Sequence, residues 1–476
     1  MDLTLPDRFR LDVDDYELGD TIGSGTFGCT MMARLKKGGP IVALKVQRVR
    51  DDKELRRKLD REIGMSLLLS HSSALDTTGP APFFGKTFGA QLLNYIPDRL
   101  LDRVHKGCPR LYQRWYEETG GTFDSRFILI WMELSEGMST DSIMGMDNVP
   151  PLDSEELRSV IFGFIWGLHG ASQEYGFTHN DLNAGNIIVH TQAQESYYRV
   201  KGLKFYLPQG ALVPTIIDFG NSTIATNYWH KDGDFSGAPA YVAAPEVTAA
   251  FLNGTPMELP TIASDLYAIA HIIILLLTHE VAFTLEPETR VEDSMLHKLM
   301  IQPAFREKPG LNDMYGYETF TFYHASLVYA YEMALVLSGQ DSLPRMKGPQ
   351  GTWQVVADSD RLFLWSATHN TATHGMRVLR EIGTALFQNY RQDAAQLMSL
   401  LKTLLSWDPA DRVGRNDSLY PLLEHPYFEP LRVERVGLPL YITTDEGSLL
   451  KEEGERKEAR IRDIKGSGFR IDKRIK

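Results

Sequence analysis

The chain has 476 residues, of which 43% are hydrophobic and 24% charged; it can bury a large core without a metal or disulfide staple, and its length suggests two or three compact units. A formal net charge of -12 excludes a surface that attracts nucleic acid non-specifically, so no nucleic-acid partner is expected. Only two cysteines are present, Cys29 and Cys108; this argues against a secreted disulfide scaffold, and both read as ordinary thiols in a reducing compartment.

The opening MDLTLPDRFRLDVDD is acidic and lacks an apolar centre, so it reads as no signal peptide, and an intracellular location, cytoplasmic or nuclear, is expected. Tyr16 to Ile22 and Cys29 to Leu35 are β-prone runs flanking a glycine cluster. A third, Ile41 to Arg48, follows the turn signal Lys37-Gly38-Gly39-Pro40. From Asp51 to Leu69 the spacing of Leu55, Leu59, Ile63 and Leu67 predicts a helix. Ala90 to Ser125 is aromatic and polar by turns and reads as an insertion before the buried strand Phe127 to Met132. Asp153, with Glu156 three residues on, is a capping-box start for a helix through the apolar stretch Val160 to Leu168. A strand-rich stretch lies between Asn186 and Asp218, and the remainder reads as mainly helical. The most apolar run, Leu266 to Leu277, is interrupted by His271 and falls short of the ~20 residues that a membrane span needs; it predicts a helix buried on all sides. Phe283 to Gln392 reads as a second insertion, and the charged tail from Lys451 as a solvated helix or disordered segment.

Three groups of residues carry the chemistry. In Ile22-Gly23-Ser24-Gly25-Thr26-Phe27-Gly28 the glycines let backbone N–H groups approach phosphate oxygens. β-prone residues follow them rather than a helix, so the dinucleotide-fold reading fails. In Val42-Ala43-Leu44-Lys45 a lysine sits in an apolar strand, where burial is costly unless anions meet it. Glu62, on the predicted helix, is the candidate carboxylate; the plainer alternative is a snorkelling surface lysine. The third group decides: Thr178-His179-Asn180-Asp181-Leu182-Asn183-Ala184-Gly185-Asn186, then Ile216-Ile217-Asp218-Phe219-Gly220. Asp181 can accept a hydroxyl proton, and Asn186 and Asp218 offer hard oxygen ligands to a divalent cation. Ala244-Pro245-Glu246 and Ser264-Asp265-Leu266-Tyr267-Ala268 follow.

In order and approximate spacing these motifs resemble those of the eukaryotic-type protein kinases, of Ser/Thr-kinase-like but divergent character. Trp407-Asp408-Pro409-Ala410-Asp411-Arg412 and Glu424-His425-Pro426-Tyr427-Phe428 extend the resemblance, which runs by landmarks from Tyr16 to Phe428 with the two insertions unmatched. It implies an α+β, bilobal fold: an N-terminal segment 1–15, an N-lobe 16–134 with an antiparallel sheet and one main helix (insertion about 90–125), a mainly helical C-lobe 135–428 (insertion about 283–392), and a tail 429–476. It also implies ATP and Mg2+ as cofactors and a protein substrate. Lys45 would hold the α/β-phosphates and pair with Glu62, and Asp181 would orient or accept the hydroxyl proton. Asn186 and Asp218 would hold Mg2+, and the loop Ile22 to Gly28 would cover the phosphates. Thr30 and Ala43 would line the nucleotide pocket and Met132 its back, while Glu133 and Ser135 would offer backbone groups to the adenine edge. Glu246 and Arg412 would form a buried ion pair, Asp265 would brace the catalytic-loop backbone, and His179 and Phe219 would serve as packing groups.

The chain departs from the family pattern in places. Asn180 stands where many kinases have an arginine that receives an activation-loop phosphate; Ser222, Thr223, Thr226, Tyr228 and Ser236 remain candidates for such modification. Asn183 replaces the usual catalytic-loop lysine and Ala238 its threonine partner, as if the pair changed together. Asn183 then offers an amide near the transferring group. Two other readings compete. A small-molecule kinase of the choline or aminoglycoside type shares a similar loop but lacks the Ala-Pro-Glu segment. A pseudokinase scaffold would have lost Lys45, Asp181 or Asp218.

Overall fold

Side chains alternate between the two faces of a strand. In Ile41–Val49, Val42, Leu44 and Val46 therefore share one face, and Ala43, Lys45 and Gln47 the other. A computed structural model describes residues 12–25, 28–51, 62–70, 83–135, 137–140, 151–224, 244, 261–278, 347–348, 351–352, 380, 382–386, 388–415 and 418–433. There this segment is strand β3, between β2 (Gly28–Leu35) and β5 (Arg126–Glu133); β1 (Tyr16–Ser24) and β4 (Thr87–Leu93) complete a five-stranded sheet in the order β1-β2-β3-β5-β4. All neighbouring pairs are antiparallel. The three strands expected before residue 50 and the Phe127–Met132 strand are all present.

One face of the sheet presents Cys29, Met31, Val42, Leu44, Phe127, Leu129 and Trp131, all buried. What covers it was not foreseen. Between β4 and β5 the expected insertion folds into two amphipathic helices, α2 (Asp98–Gly107) and α3 (Pro109–Glu118), whose Leu100, Val104, Leu111 and Trp115 close the face. The expectation of one main helix beside the sheet is therefore corrected. The polar residues of both helices face water, which hid the apolar spacing in a segment that looked irregular. Gly107 lies so close to Thr21 that a Cβ would collide with it. The reading of two separate thiols is also corrected: Cys29 on β2 and Cys108 between α2 and α3 form a disulfide, with both residues buried. The sheet partner of Cys108 lies 79 residues earlier in the chain, so the spacing alone could not announce it.

On the other face, Val49, Ile63, Ile128 and Ile130 form a smaller core. It anchors the start of helix α1 (Gly64–Ser70), the described end of the helix predicted from Asp51; most of its earlier residues lie outside the described ones.

The largest core gathers on two long helices. Helix α4 (Ser154–Tyr175) starts as predicted: the Asp153 carboxylate accepts from the N–H groups of Glu155 and Glu156, each at 2.8 Å, and Glu156 accepts from the Asp153 N–H at 2.8 Å. Gly176, at φ 60°, ends it in the left-handed conformation that glycine adopts without cost. Helix α5 (Ile262–Thr278) is buried from Ile262 to Leu277, as its apolar run implied. No helix among the described residues is long and apolar enough to cross a membrane. Between α4 and α5 lie β7 (Ile187–Thr191) and β10 (Leu212–Ile216), paired antiparallel, with β6 (Gly137–Ser139) on the far side of β7. A hairpin, β8 (Ser196–Val200) and β9 (Leu203–Leu207), interrupts them and plugs Tyr198 and Phe205 against Phe162 and Trp166 of α4.

Helix α6 (Ala394–Leu404) and the short helices α7 (Pro409–Arg412) and α8 (Tyr420–Leu423) close the core. Arg158 of α4 pairs with Asp393 and donates to the Tyr427 carbonyl at 3.0 Å. Arg412 is buried; it donates to the carbonyls of Ser406 at 2.8 Å, Ala263 at 3.0 Å and Trp407 at 3.2 Å, and stacks on Tyr267. Its expected partner Glu246 lies outside the described residues, as do Ala238, most of 283–392 and the tail from 434 onward.

Candidate active site

The register of β1 against β2 sets Gly23 opposite Thr30 and Ser24 opposite Cys29, and the Gly25 N–H donates to Gly28 O at 2.9 Å. The glycine segment is thus a strand–turn–strand, as predicted, although Thr26 and Phe27 lie outside the described residues. A Cβ at Gly28 would stand 2.8 Å from Gln47 and 2.9 Å from the Val46 carbonyl, so no other residue fits there.

The register of β2 and β3 puts Thr30 opposite Lys45. Lys45 is nearly buried and meets the anions its strand position demanded. It is ion-paired to Glu62, and its Nζ lies 3.2 Å from Asp218. Burial opposes its charge, but Asp218 and Glu62 together overcome this and hold its pKa above the usual lysine value. For Asp218 burial likewise works against ionisation, and Lys45 outweighs it, holding the carboxyl below its usual range. The Gln47 amide donates to both Glu62 oxygens, at 3.3 and 3.1 Å, and so fixes the carboxylate that faces Lys45. Sequence reading missed Gln47. The signal was there: a polar residue two positions from Lys45 must share its face of an apolar strand.

The catalytic segment is held from behind by α5. Asp265 accepts from the N–H groups of His179 at 2.6 Å and Asn180 at 2.9 Å. His179 is buried with its Nε2 3.0 Å from the Ile217 carbonyl, so Nε2 carries the proton and Nδ1 accepts the Asp181 N–H at 3.3 Å. Burial lowers its pKa to about 4, which keeps the ring neutral and structural. Phe219 is buried against Phe84, Phe177 and His179. Asn180 has φ 64° and Asp218 φ 67°, an uncommon backbone for residues with side chains.

Around Asp181 the side chains are amides. Asn183 donates to its backbone carbonyl at 3.1 Å and to Oδ1 at 3.3 Å, while Asn183 Oδ1 accepts the Gly185 N–H at 2.9 Å. Asn186 donates to the Asp181 carbonyl at 2.8 Å, and its own carbonyl accepts the Ile217 N–H at 3.0 Å. Since its amide nitrogen is committed, the end of the Asn186 side chain suited to a cation is Oδ1. Asn186 and Asp218 then supply two hard oxygen donors, which fits Mg2+, an ion that takes few protein ligands and completes its shell with phosphates and water. Among the described residues no group of three His, Cys, Asp or Glu offers a fuller metal cage.

A model of the protein kinase domain matches residues 103–428. The chain belongs to the protein kinase family. In this kinase the matched stretch begins within α2, so the glycine segment, Lys45 and Glu62 precede it; their membership of the site rests on the contacts above. Two of the suggested phosphorylation positions are corrected: Ser222 is fully buried with its hydroxyl on the His179 carbonyl, and Thr223 is buried with its hydroxyl 2.6 Å from that of Thr178. Thr226, Tyr228 and Ser236 lie outside the described residues.

Proposed function

We propose that this kinase is a Ser/Thr-type enzyme that transfers the γ-phosphoryl group of ATP, with Mg2+, to a hydroxyl on a protein. The reading includes a bilobal arrangement, with the sheet and its helices over 16–134 as the small lobe and 135–428 as the larger. One chain of contacts carries it. The 3.2 Å approach of Lys45 to Asp218 ties β3 to the segment after β10, and the 3.0 Å bond from Ile217 N–H to the Asn186 carbonyl ties that segment to Asp181 and its loop. Lys45 and Asp218 thus meet, and one backbone bond joins their segment to the loop that carries Asp181 and Asn186.

In this reading Lys45, oriented by Glu62, binds the α/β-phosphates, and the N–H groups of the Gly23–Gly28 segment cover them. Mg2+, held by Asn186 and Asp218, supplies positive charge to the phosphate oxygens. Asp181 orients the substrate hydroxyl and takes its proton as the oxygen attacks phosphorus. The Glu133 N–H donates to Lys86 O at 2.9 Å and the Ser135 carbonyl accepts the Gly137 N–H at 2.9 Å. In this reading the Glu133 carbonyl and the Ser135 N–H serve the adenine edge, with Ala43, Thr30 and Met132 around it.

The test is to incubate the purified chain with γ-labelled ATP and Mg2+ and a panel of proteins and small alcohols. Label on protein serine or threonine is expected. Label on a small alcohol alone would replace the reading with a small-molecule kinase, and absence of transfer at saturating ATP with a scaffold.

A further inference from the structure

Asp181 must present one oxygen to a substrate hydroxyl while its carboxylate is kept from rotating. A carboxylate only accepts hydrogen bonds, so each neighbour that fixes it must be a donor. One of these lies outside the catalytic segment. The Asn221 side chain, in the turn Phe219–Asn221 that follows Asp218, donates to Asp181 Oδ2 at 3.0 Å. Asn183 donates to the other oxygen, Oδ1, at 3.3 Å. The two amides therefore hold the carboxylate from both ends.

Asn221 is itself anchored. The Asn180 amide donates to the Asn221 carbonyl at 3.0 Å and to Thr223 Oγ1 at 3.1 Å. The backbone around it is paired as well, with Thr178 N–H to Thr223 O at 3.0 Å and Thr223 N–H to Thr178 O at 2.9 Å. Since Asp265 fixes the N–H of Asn180 at 2.9 Å, a continuous polar connection runs from the buried helix α5 through Asn180 and Asn221 to Asp181. Every link is neutral-to-neutral or amide-to-carboxylate, and none uses a cation or a phosphate.

We propose that Asn221 is a positioning residue for phosphoryl transfer. With Asn183 it orients the Asp181 carboxylate, and it couples that carboxylate to the segment bearing Asp218. This rests on the kinase reading above, in which Asp181 meets the substrate hydroxyl. Its consequence is a division of labour: Asn221 acts on the chemical step and leaves nucleotide binding, the task of Lys45 and the glycine segment, unaltered.

The experiment uses the full chain and measures phosphotransfer to casein together with the affinity of a fluorescent ATP analogue. The variants are Asn221→Leu, Asp181→Asn and their combination. Losing a hydrogen bond to a charged group lowers kcat by about 10-fold or more. We expect that loss for Asn221→Leu, with KM for ATP and analogue affinity within twofold of wild type. In the Asp181→Asn background the same change is expected to cost less than twofold, because the carboxylate it orients is gone. If Asn221→Leu fails to fold, Asn221→Asp, of equal size but without the donor, replaces it. Full kcat in the folded variant, an equal loss in both backgrounds, or a matched loss of nucleotide affinity would overturn the assignment while leaving the kinase reading intact. A wild type that binds nucleotide but transfers nothing would overturn both.

Discussion

Asp218 holds a position in which small changes have large consequences. It lies beside Lys45 and stands in a left-handed backbone, and in the proposed function its carboxylate holds the cation. Asp218→Asn keeps the size and removes the charge. The expected result is a fall in Mg2+-dependent turnover of at least about 100-fold, since transfer of this kind depends on charge stabilisation by the metal. The melting temperature should change little, because Lys45 retains Glu62. Turnover within twofold of wild type at matched Mg2+ would remove Asp218 from the metal site. At this scale the pairing of Lys45 with Glu62 was legible, because a lysine in an apolar strand is expensive to bury without an anion. Gln47 and Asn221 were less so, because an amide costs less to place than a charge and its partner is set only by folding. The Asn183 amide, expected near the transferring group, donates to Asp181 Oδ1 at 3.3 Å.

At the scale of elements, helix α4 was readable from its cap and its apolar run, but its fit against the strands was not. Gly163 faces Phe83 and Pro214 of β10; a Cβ there would stand 2.8 Å from the Phe83 ring and collide with the Pro214 ring. An alanine in a helix interior normally gains about 1 kcal/mol over glycine. Overpacking a dense core costs ~1–3 kcal/mol, and both neighbours are buried. The clash should win, so Gly163→Ala is expected to lower stability by roughly 1 kcal/mol in net. Urea unfolding measures this directly, and an alanine variant more stable than wild type would show that the helix can shift at no cost. The helices α2 and α3 were hidden for a different reason. Each is short and amphipathic, and its apolar stripe gains meaning only from the sheet face it covers, which is assembled from β2, β3 and β5.

The whole molecule carries a pH dependence that follows from burial. His169, His179 and His271 lie inside the core, and burial is the leading cause that lowers their pKa values, to about 4, about 4 and about 3; nearby Lys201 and Arg412 add to the effect at His169 and His271. His190 and His425 shift in the same direction, again chiefly through burial. In the unfolded chain each would protonate near 6.5. Between 6.5 and 4, unfolding therefore takes up protons. The stability these residues contribute is complete above pH 6.5 and falls as pH drops through this window, by up to ~1.4 kcal/mol per pH unit for each fully buried ring. Asp265 opposes them: burial pushes its carboxyl up to about 7, against the two N–H groups that favour the anion, so it binds a proton more readily when folded and gains stability as pH falls. Three rings against one carboxyl leave a net loss of up to ~3 kcal/mol per pH unit as the pH falls below 6. Urea midpoints at pH 7.5, 6 and 5 should show it as a steep decline, and His271→Leu should flatten the slope by about one ring's share, ~1.4 kcal/mol per pH unit. An unchanged slope in that variant would mean that the His271 ring is protonated inside the fold. A wild-type stability that instead rises as the pH falls, the Asp265 contribution acting alone, would mean the same of all three.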